Sequence, residues 1–212
     1  MTISTFYWNQ IPDLVPATPG LYAWYLKLEI SEADINYFIE QSRDKPSDDK
    51  ISDLKKFLVA QLVKPLSPPS YTVDMKGKLQ PEYTGIIEYV SSIDEKVLLR
   101  LAENQEKLTS CLKYLGQMSP AFASPLYIGM AKNLRVRIKG HCRLIEQEAP
   151  NFLDLPVDWV EEDASFAKEI NKRGIEITSL MLNVMEIHDP EVDPRDIEYL
   201  MNRIMFPILG KR

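Results

Sequence analysis

The sequence predicts an α+β fold in which three short strands are set among amphipathic helices. Three observations carry this. Gly20 to Ile30 (GLYAWYLKLEI), Leu126 to Ile128 and Ile175 to Ile187 are apolar runs rich in aromatic or β-branched residues, each bounded closely by glycine or proline. Between them lie segments whose apolar residues recur every three to four positions, the period of a helix with one buried face. Pro125 to Arg143, PLYIGMAKNLRVRIKGHCR, joins the two patterns and reads as strand, turn, helix.

Taken in order, Thr5 to Pro19 reads as irregular, because Pro12, Pro16 and Pro19 each disfavour helix before them. In the strand that follows, Tyr22, Trp24 and Leu26 point one way and Leu21, Ala23 and Tyr25 the other. Both faces are largely apolar, which predicts cover on both sides. Ser31 suits the N-cap of a helix over Glu32 to Ser42. A second helix spans about Lys50 to Val63, with Leu54, Phe57, Leu58, Gln61 and Leu62 inward. Pro65, Pro68, Pro69 and Pro81 then bracket a loop-rich stretch with room for a hairpin near Lys76-Gly77-Lys78. Helical period returns from Ser92 to about Leu115, with Ile93, Val97, Leu101, Leu108 and Leu112 as core candidates.

In the helix after Leu126 to Ile128, residues four apart lie about 40° apart around the axis. Arg137 and His141 therefore share one edge, beside an apolar stripe of Leu134, Ile138, Cys142 and Ile145. Arg135, Lys139 and Arg143 form a basic row on the far side. Asp163 to Lys172 is a further helix ended by Gly174. The last helix starts at Asp193-Pro194, an N-cap followed by proline at the first helical position. Its expected buried stripe is Ile197, Leu200, Met201 and Ile204, with Glu198 at the edge and Pro207 beyond its end.

Composition narrows the function classes. At 212 residues, with 45% hydrophobic and 26% charged, the chain can bury a real core as one large or two small domains. The N-terminus lacks a basic region followed by a long apolar run, and no segment has the roughly 18 apolar residues of a membrane span, so a cytoplasmic protein is expected. Cys111 and Cys142 lie too far apart for C-x-x-C chemistry and read as reduced core residues. A net charge of −6 excludes indiscriminate coating of nucleic acid. Five of the twelve residues from Lys132 to Arg143 are nevertheless basic, so polyanion binding would be local, with the acidic stretch from Asp154 to Glu169 facing elsewhere.

Gly20-Leu21-Tyr22, then Tyr127-Ile128-Gly129, Arg137 ten residues after that tyrosine, His141 four further on, and Glu198 opening a helix that ends in proline together resemble the GIY-YIG nuclease family. The run YIGMAKNLRVRIKGH is the most specific part. The resemblance covers about Thr18 to Leu28, Ser124 to Glu146 and, more loosely, Ile170 onward. It implies a small three-stranded antiparallel sheet flanked by helices, formed by residues 1–28 and 124–212. Tyr22 and Tyr127 stand 105 positions apart, so residues 29–123 would form a mostly helical insertion packed on that domain.

The resemblance also implies an activity: metal-dependent hydrolysis of DNA phosphodiester bonds, with RNA left open, in a small restriction-like or other defence enzyme. Glu198 would hold a single Mg²⁺ or Mn²⁺, since such hard ions accept few carboxylates and keep several waters. Arg137 would bind a phosphate oxygen. Tyr22 is the implied general base, Tyr127 would position water or phosphate, and His141 would orient Tyr22 or relay its proton. Lys132, Arg135, Lys139 and Arg143 are the expected nucleic-acid contacts. A single constellation cuts one strand, so a double-strand break would need a homodimer or two successive nicks. One departure favours an alternative: the family has an asparagine twelve residues after its glutamate, and this chain has Gly210. The alternative is a degenerate domain that binds nucleic acid or a protein partner without cutting.

Overall fold

Four antiparallel strands make the main sheet, one more than the sequence suggested. The computed structural model describes residues 2–68, 70–77, 82–88, 93–146 and 162–210. In chain order the elements are β1 (Ile3–Tyr7), β2 (Gly20–Leu26), α1 (Glu32–Ser42), α2 (Ser47–Leu58), β3 (Tyr71–Met75) and β4 (Tyr83–Ile87). They continue with α3 (Glu95–Ala102), α4 (Gln105–Phe122), β5 (Tyr127–Ala131), α5 (Leu134–Glu146), α6 (Glu162–Lys172), β6 (Leu180–Glu186) and α7 (Pro194–Met205). Pro69, Lys78, Pro81, Ser92 and the acidic residues from Asp154 to Glu161 lie outside the described residues.

The main sheet has the order β1-β6-β2-β5. The added strand, β1, pairs with β6 from Ile3↔Met185 to Tyr7↔Met181, and Thr5 Oγ1 donates to Asn183 Oδ1 at 2.8 Å. It overlaps the start of the stretch read as irregular. The physical reason for the miss is that β1 is an edge strand with almost every residue exposed, so no buried alternation marks it. The rest of the sheet follows the sequence: β2 pairs antiparallel with both β5 and β6.

By contact, the chain divides into two units, residues 1–32 with 109–212 and residues 33–108. In the first, the sheet face bearing Tyr22, Trp24, Leu180, Leu182 and Val184 is buried, together with Leu134, Ile138, Phe166 and Ile170 from α5 and α6. Burying a leucine- or phenylalanine-sized side chain contributes about 1.5–3 kcal/mol. The opposite face is less covered than expected, since Leu21 is buried while Ala23 and Tyr25 are only half-buried. Tyr25 is hydrogen-bonded to Asn183, which lowers its hydroxyl's pKa, but burial has the larger effect and raises it above the usual 10.0. At the C-terminal end of α4, Ser119 Oγ accepts from Leu28 N at 2.9 Å.

The second unit is built on α2 and α3. Leu54, Leu58, Leu98, Leu108 and Ile35 form its core, and the rings of Phe38 and Phe57 stack at 4.8 Å between centroids. On α3 it is Leu98 that is fully buried, while Val97 is half-buried, a shift of one position from the sequence reading. After α2 the chain makes one π-helical turn (Val59–Val63) and a 3₁₀ turn at Pro65. β3 and β4 then pair as a two-stranded sheet from Tyr71↔Ile87 to Met75↔Tyr83. Asp53 accepts from Lys45 at 2.7 Å, and that bond holds its carboxyl below the ordinary range.

The largest correction concerns α7. Its apolar residues were expected in a buried stripe, yet none of the helix is buried, and Leu200 and Ile204 are 56% and 64% exposed. Among the described residues the helix's main contacts are with β5 and, more lightly, β2. Helical period states which residues share a face; it does not state that anything covers that face.

Candidate active site

Strand register places the first tyrosine. Tyr22 lies opposite Gly129 and Trp24 opposite Tyr127, and directly paired residues in an antiparallel sheet point to the same side. A Cβ at position 129 would lie 2.5 Å from Tyr22 Oη and 2.6 Å from its Cζ. Glycine there lets the phenol ring lie over the neighbouring strand. Gly20 answers a similar demand, since a Cβ would fall 2.2 Å from the Met185 carbonyl oxygen and 2.9 Å from Leu134 Cδ1.

Local capping aims the helix. Asn133 Oδ1 accepts from Val136 N at 3.1 Å, the N-cap bond expected of asparagine. Leu134 N and Arg135 N donate to the carbonyls of Thr18 and Pro16, at 3.0 and 3.1 Å. The segment leading into β2 thus serves the free N–H groups of α5. Seven residues of α5 are buried, including Leu134, Ile138, Cys142 and Ile145 of the predicted stripe, and Leu144 joins them. Burial pushes the Cys142 thiol up to about 12, with the Glu146 carboxylate adding to the effect, so Cys142 is an inert core group.

Three of the five predicted catalytic residues meet through one oxygen. Tyr22 Oη and His141 Nε2 are 2.8 Å apart, and Arg137 Nε donates to Tyr22 Oη at 3.3 Å. With arginine donating to that oxygen, the phenolic proton is free to point at the imidazole. Tyr22 is 1% exposed and His141 0%. The imidazole is enclosed by Tyr22, Trp24, Tyr127 and Phe166, with ring centroids between 5.4 and 6.2 Å away. Tyr127 stacks on Tyr22 at 6.1 Å and is itself 5% exposed.

Tyr127 also links this cluster to open space. With Ile128 it lines a cleft of about 630 Å³ whose other wall is α7, through Arg195, Asp196, Glu198, Tyr199, Asn202 and Arg203. Asp193 caps α7, its Oδ1 accepting from Arg195 N at 2.9 Å. Glu198, half-buried, therefore faces the same cleft as Tyr127.

The expected basic contacts take separate positions. Lys132, Arg135, Lys139 and Arg143 are exposed, and Arg135 Nε donates to the Val15 carbonyl at 2.7 Å, which ties that side chain to the fold. Sequence reasoning passed over Arg195, Tyr199, Asn202, Arg203 and Phe206, all of which line the cleft. Their signal was present: Arg195, Tyr199 and Arg203 are four apart, and Glu198 and Asn202 are four apart on the adjoining edge.

Gly210 has a steric explanation. Ile208 N and Leu209 N donate to the carbonyls of Pro125 and Leu126, which folds the tail back so that a Cβ at 210 would be 2.6 Å from Pro207 Cγ. A carboxamide at 210 has no room, and the one lining the cleft is Asn202, whose Oδ1 lies 3.6 Å from that Cβ point. For a metal, the cleft offers the oxygens of Asp196, Glu198 and Asn202. Among the described residues no three of His, Cys, Asp and Glu gather as ligands. This donor set fits a hard divalent ion that keeps most of its waters and does not fit a closed protein cage.

No family model, no curated protein and no solved structure matches the chain. Among the described residues no helix is long and apolar enough to cross a membrane.

Proposed function

We propose that this protein is a metal-dependent endonuclease of GIY-YIG type that hydrolyses DNA phosphodiester bonds, in restriction or another defence role. The observation that carries the reading is the shared Tyr22 oxygen, 2.8 Å from His141 Nε2 and accepting from Arg137 Nε. Phosphodiester hydrolysis requires that a water lose a proton as it attacks phosphorus while charge grows on the phosphoryl oxygens. Tyr22 passes its proton to His141 and takes one from a water that must reach it past Tyr127, because Tyr22 is buried and it is Tyr127 that lines the cleft. Arg137 stabilises the phenolate before transfer, and its forked, always-charged guanidinium suits a phosphoryl oxygen. Tyr127, stacked on Tyr22 at the cleft wall, orients the water. The new P–O bond forms as the bond to the 3′ oxygen breaks, and that oxygen takes its proton from solvent. Glu198 would hold Mg²⁺ or Mn²⁺, which when bound supplies Lewis-acid polarisation of the phosphate. Incubation with duplex DNA and either ion should give nicks or breaks, and Glu198→Ala should give none. Cleavage surviving in that variant removes Glu198 from the reaction.

A second reading has its own observation. Pro207 leaves no room for a side chain at 210, and the chain carries a net charge of −6. A domain that binds without cutting would show salt-sensitive binding and no product with either ion.

A further inference from the structure

The outer rim of the cleft carries an alternation of cations and rings that the hydrolytic reading leaves unused. Arg195, Tyr199 and Arg203 follow one another at four-residue spacing along α7, and Phe206 closes the row. The two arginines are about 12 Å apart along the axis at 1.5 Å per residue. Tyr199 is 61% exposed and Phe206 63%. The Arg203 guanidinium lies over one face of the Tyr199 ring, 5.3 Å from its centroid. Phe206 has φ 47°, the left-handed C-cap conformation that favours glycine. A bulky residue pays a steric penalty there, and here it holds a phenyl ring in solvent at the mouth of the cleft.

From this row we infer that the cleft takes a single strand of nucleic acid, with unpaired bases stacked on Tyr199 and Phe206 and flanking phosphates on Arg195 and Arg203. Exposed rings offer π-faces, and a base can use one only when it has left its duplex stack. Charge alone would not select a polyanion here, because Asp196 and Glu198 in the same cleft balance the two arginines. Affinity therefore rests on the rings, and salt dependence is shallow, with a log–log slope of about −1.4 for two neutralised phosphates on a single strand. The inference rests on the nuclease reading and narrows its substrate to DNA with an unpaired segment at the cut.

The test is fluorescence anisotropy with labelled oligothymidylate of about twenty nucleotides, a length beyond typical single-strand site sizes, against a blunt duplex, both in EDTA so that nothing is cut. The single strand should bind more tightly. Tyr199→Ala and Phe206→Gly should each weaken it roughly tenfold, and Lys113→Ala, an exposed change on α4, should not. Phe206→Gly relieves the left-handed backbone, so lost binding cannot be put down to unfolding. Equal affinity in the Tyr199→Ala/Phe206→Gly double variant overturns the inference, as does preference for duplex. So does a change in sedimentation of that variant with its binding unaltered, which would make the row a contact between copies. Ring-dependent binding with no cleavage in Mg²⁺ sinks the nuclease reading alone. Cleavage with ring-independent binding sinks this inference alone.

Discussion

Helices α5 and α7 both carry candidate site residues, and they are held in opposite ways. Seven residues of α5 are buried and none of α7 is. On α5, His141 is enclosed by four aromatic rings and Arg137 reaches Tyr22 within a packed layer. On α7, Glu198 is half-buried beside exposed Tyr199. Under the proposed hydrolysis the contrast reads as a division of labour: the groups assigned to proton transfer sit where packing locks their rotamers, and those assigned to water, ion and strand sit where solvent can reach.

The contrast can be broken most decisively at Tyr22. Tyr22→Phe keeps the ring and removes the oxygen shared by His141 and Arg137, so cleavage should fall about 10²- to 10⁴-fold with little change in the melting curve. Undiminished cleavage would mean that the buried layer is only structural. Next in size is a pair of truncations compared by urea unfolding. Ile138→Ala, on the fully buried side of α5, should cost about 2–5 kcal/mol, whereas Ile204→Ala on α7 should stay within about 0.5 kcal/mol. Similar losses in both would show that something covers α7 in solution. Gly129→Ala should cost about 1–3 kcal/mol through overpacking against Tyr22, and it should lower the cleavage rate along with stability, because the ring it displaces is the one bonded to His141.

The finest test uses the thiol of α5. Cys142 should resist alkylation at neutral pH while half-exposed Cys111 reacts. The sign of the pH effect follows from a folded value of about 12 against an ordinary value of 9.0. Stability from the neutral thiol is present in full below the ordinary value and is lost as pH climbs toward the folded one. Cys142→Ala should therefore flatten the alkaline limb of a stability-against-pH curve; an unchanged limb would assign that loss to other groups.

Much of α5 was legible because its cues are local. The glycine that ends the apolar run, the polar turn after it and the four-residue spacing of Arg137 and His141 lie within one short stretch, and each acts on its neighbours in sequence. The same was true of the start of α7, where Asp193 and Pro194 announce the helix. Cues were missing where burial had to be supplied from elsewhere. β1 carries no buried alternation, and the apolar row of α7 reads the same whether covered or bare.

Sequence alone determined the strand, turn and helix around Tyr127 and the helix bearing Glu198, because propensity, capping and periodicity are properties of adjacent residues; the candidates Tyr22, Arg137 and His141 came from the resemblance of the motifs, which is also read along the chain. Tertiary structure alone decided that Tyr22 points across Gly129 to His141, that Glu198 and Tyr127 share a cleft, that Pro207 closes the space at Gly210, and that α7 leaves Leu200 and Ile204 exposed. Each of these depends on what stands opposite a side chain, and the opposite partner lies far away in sequence.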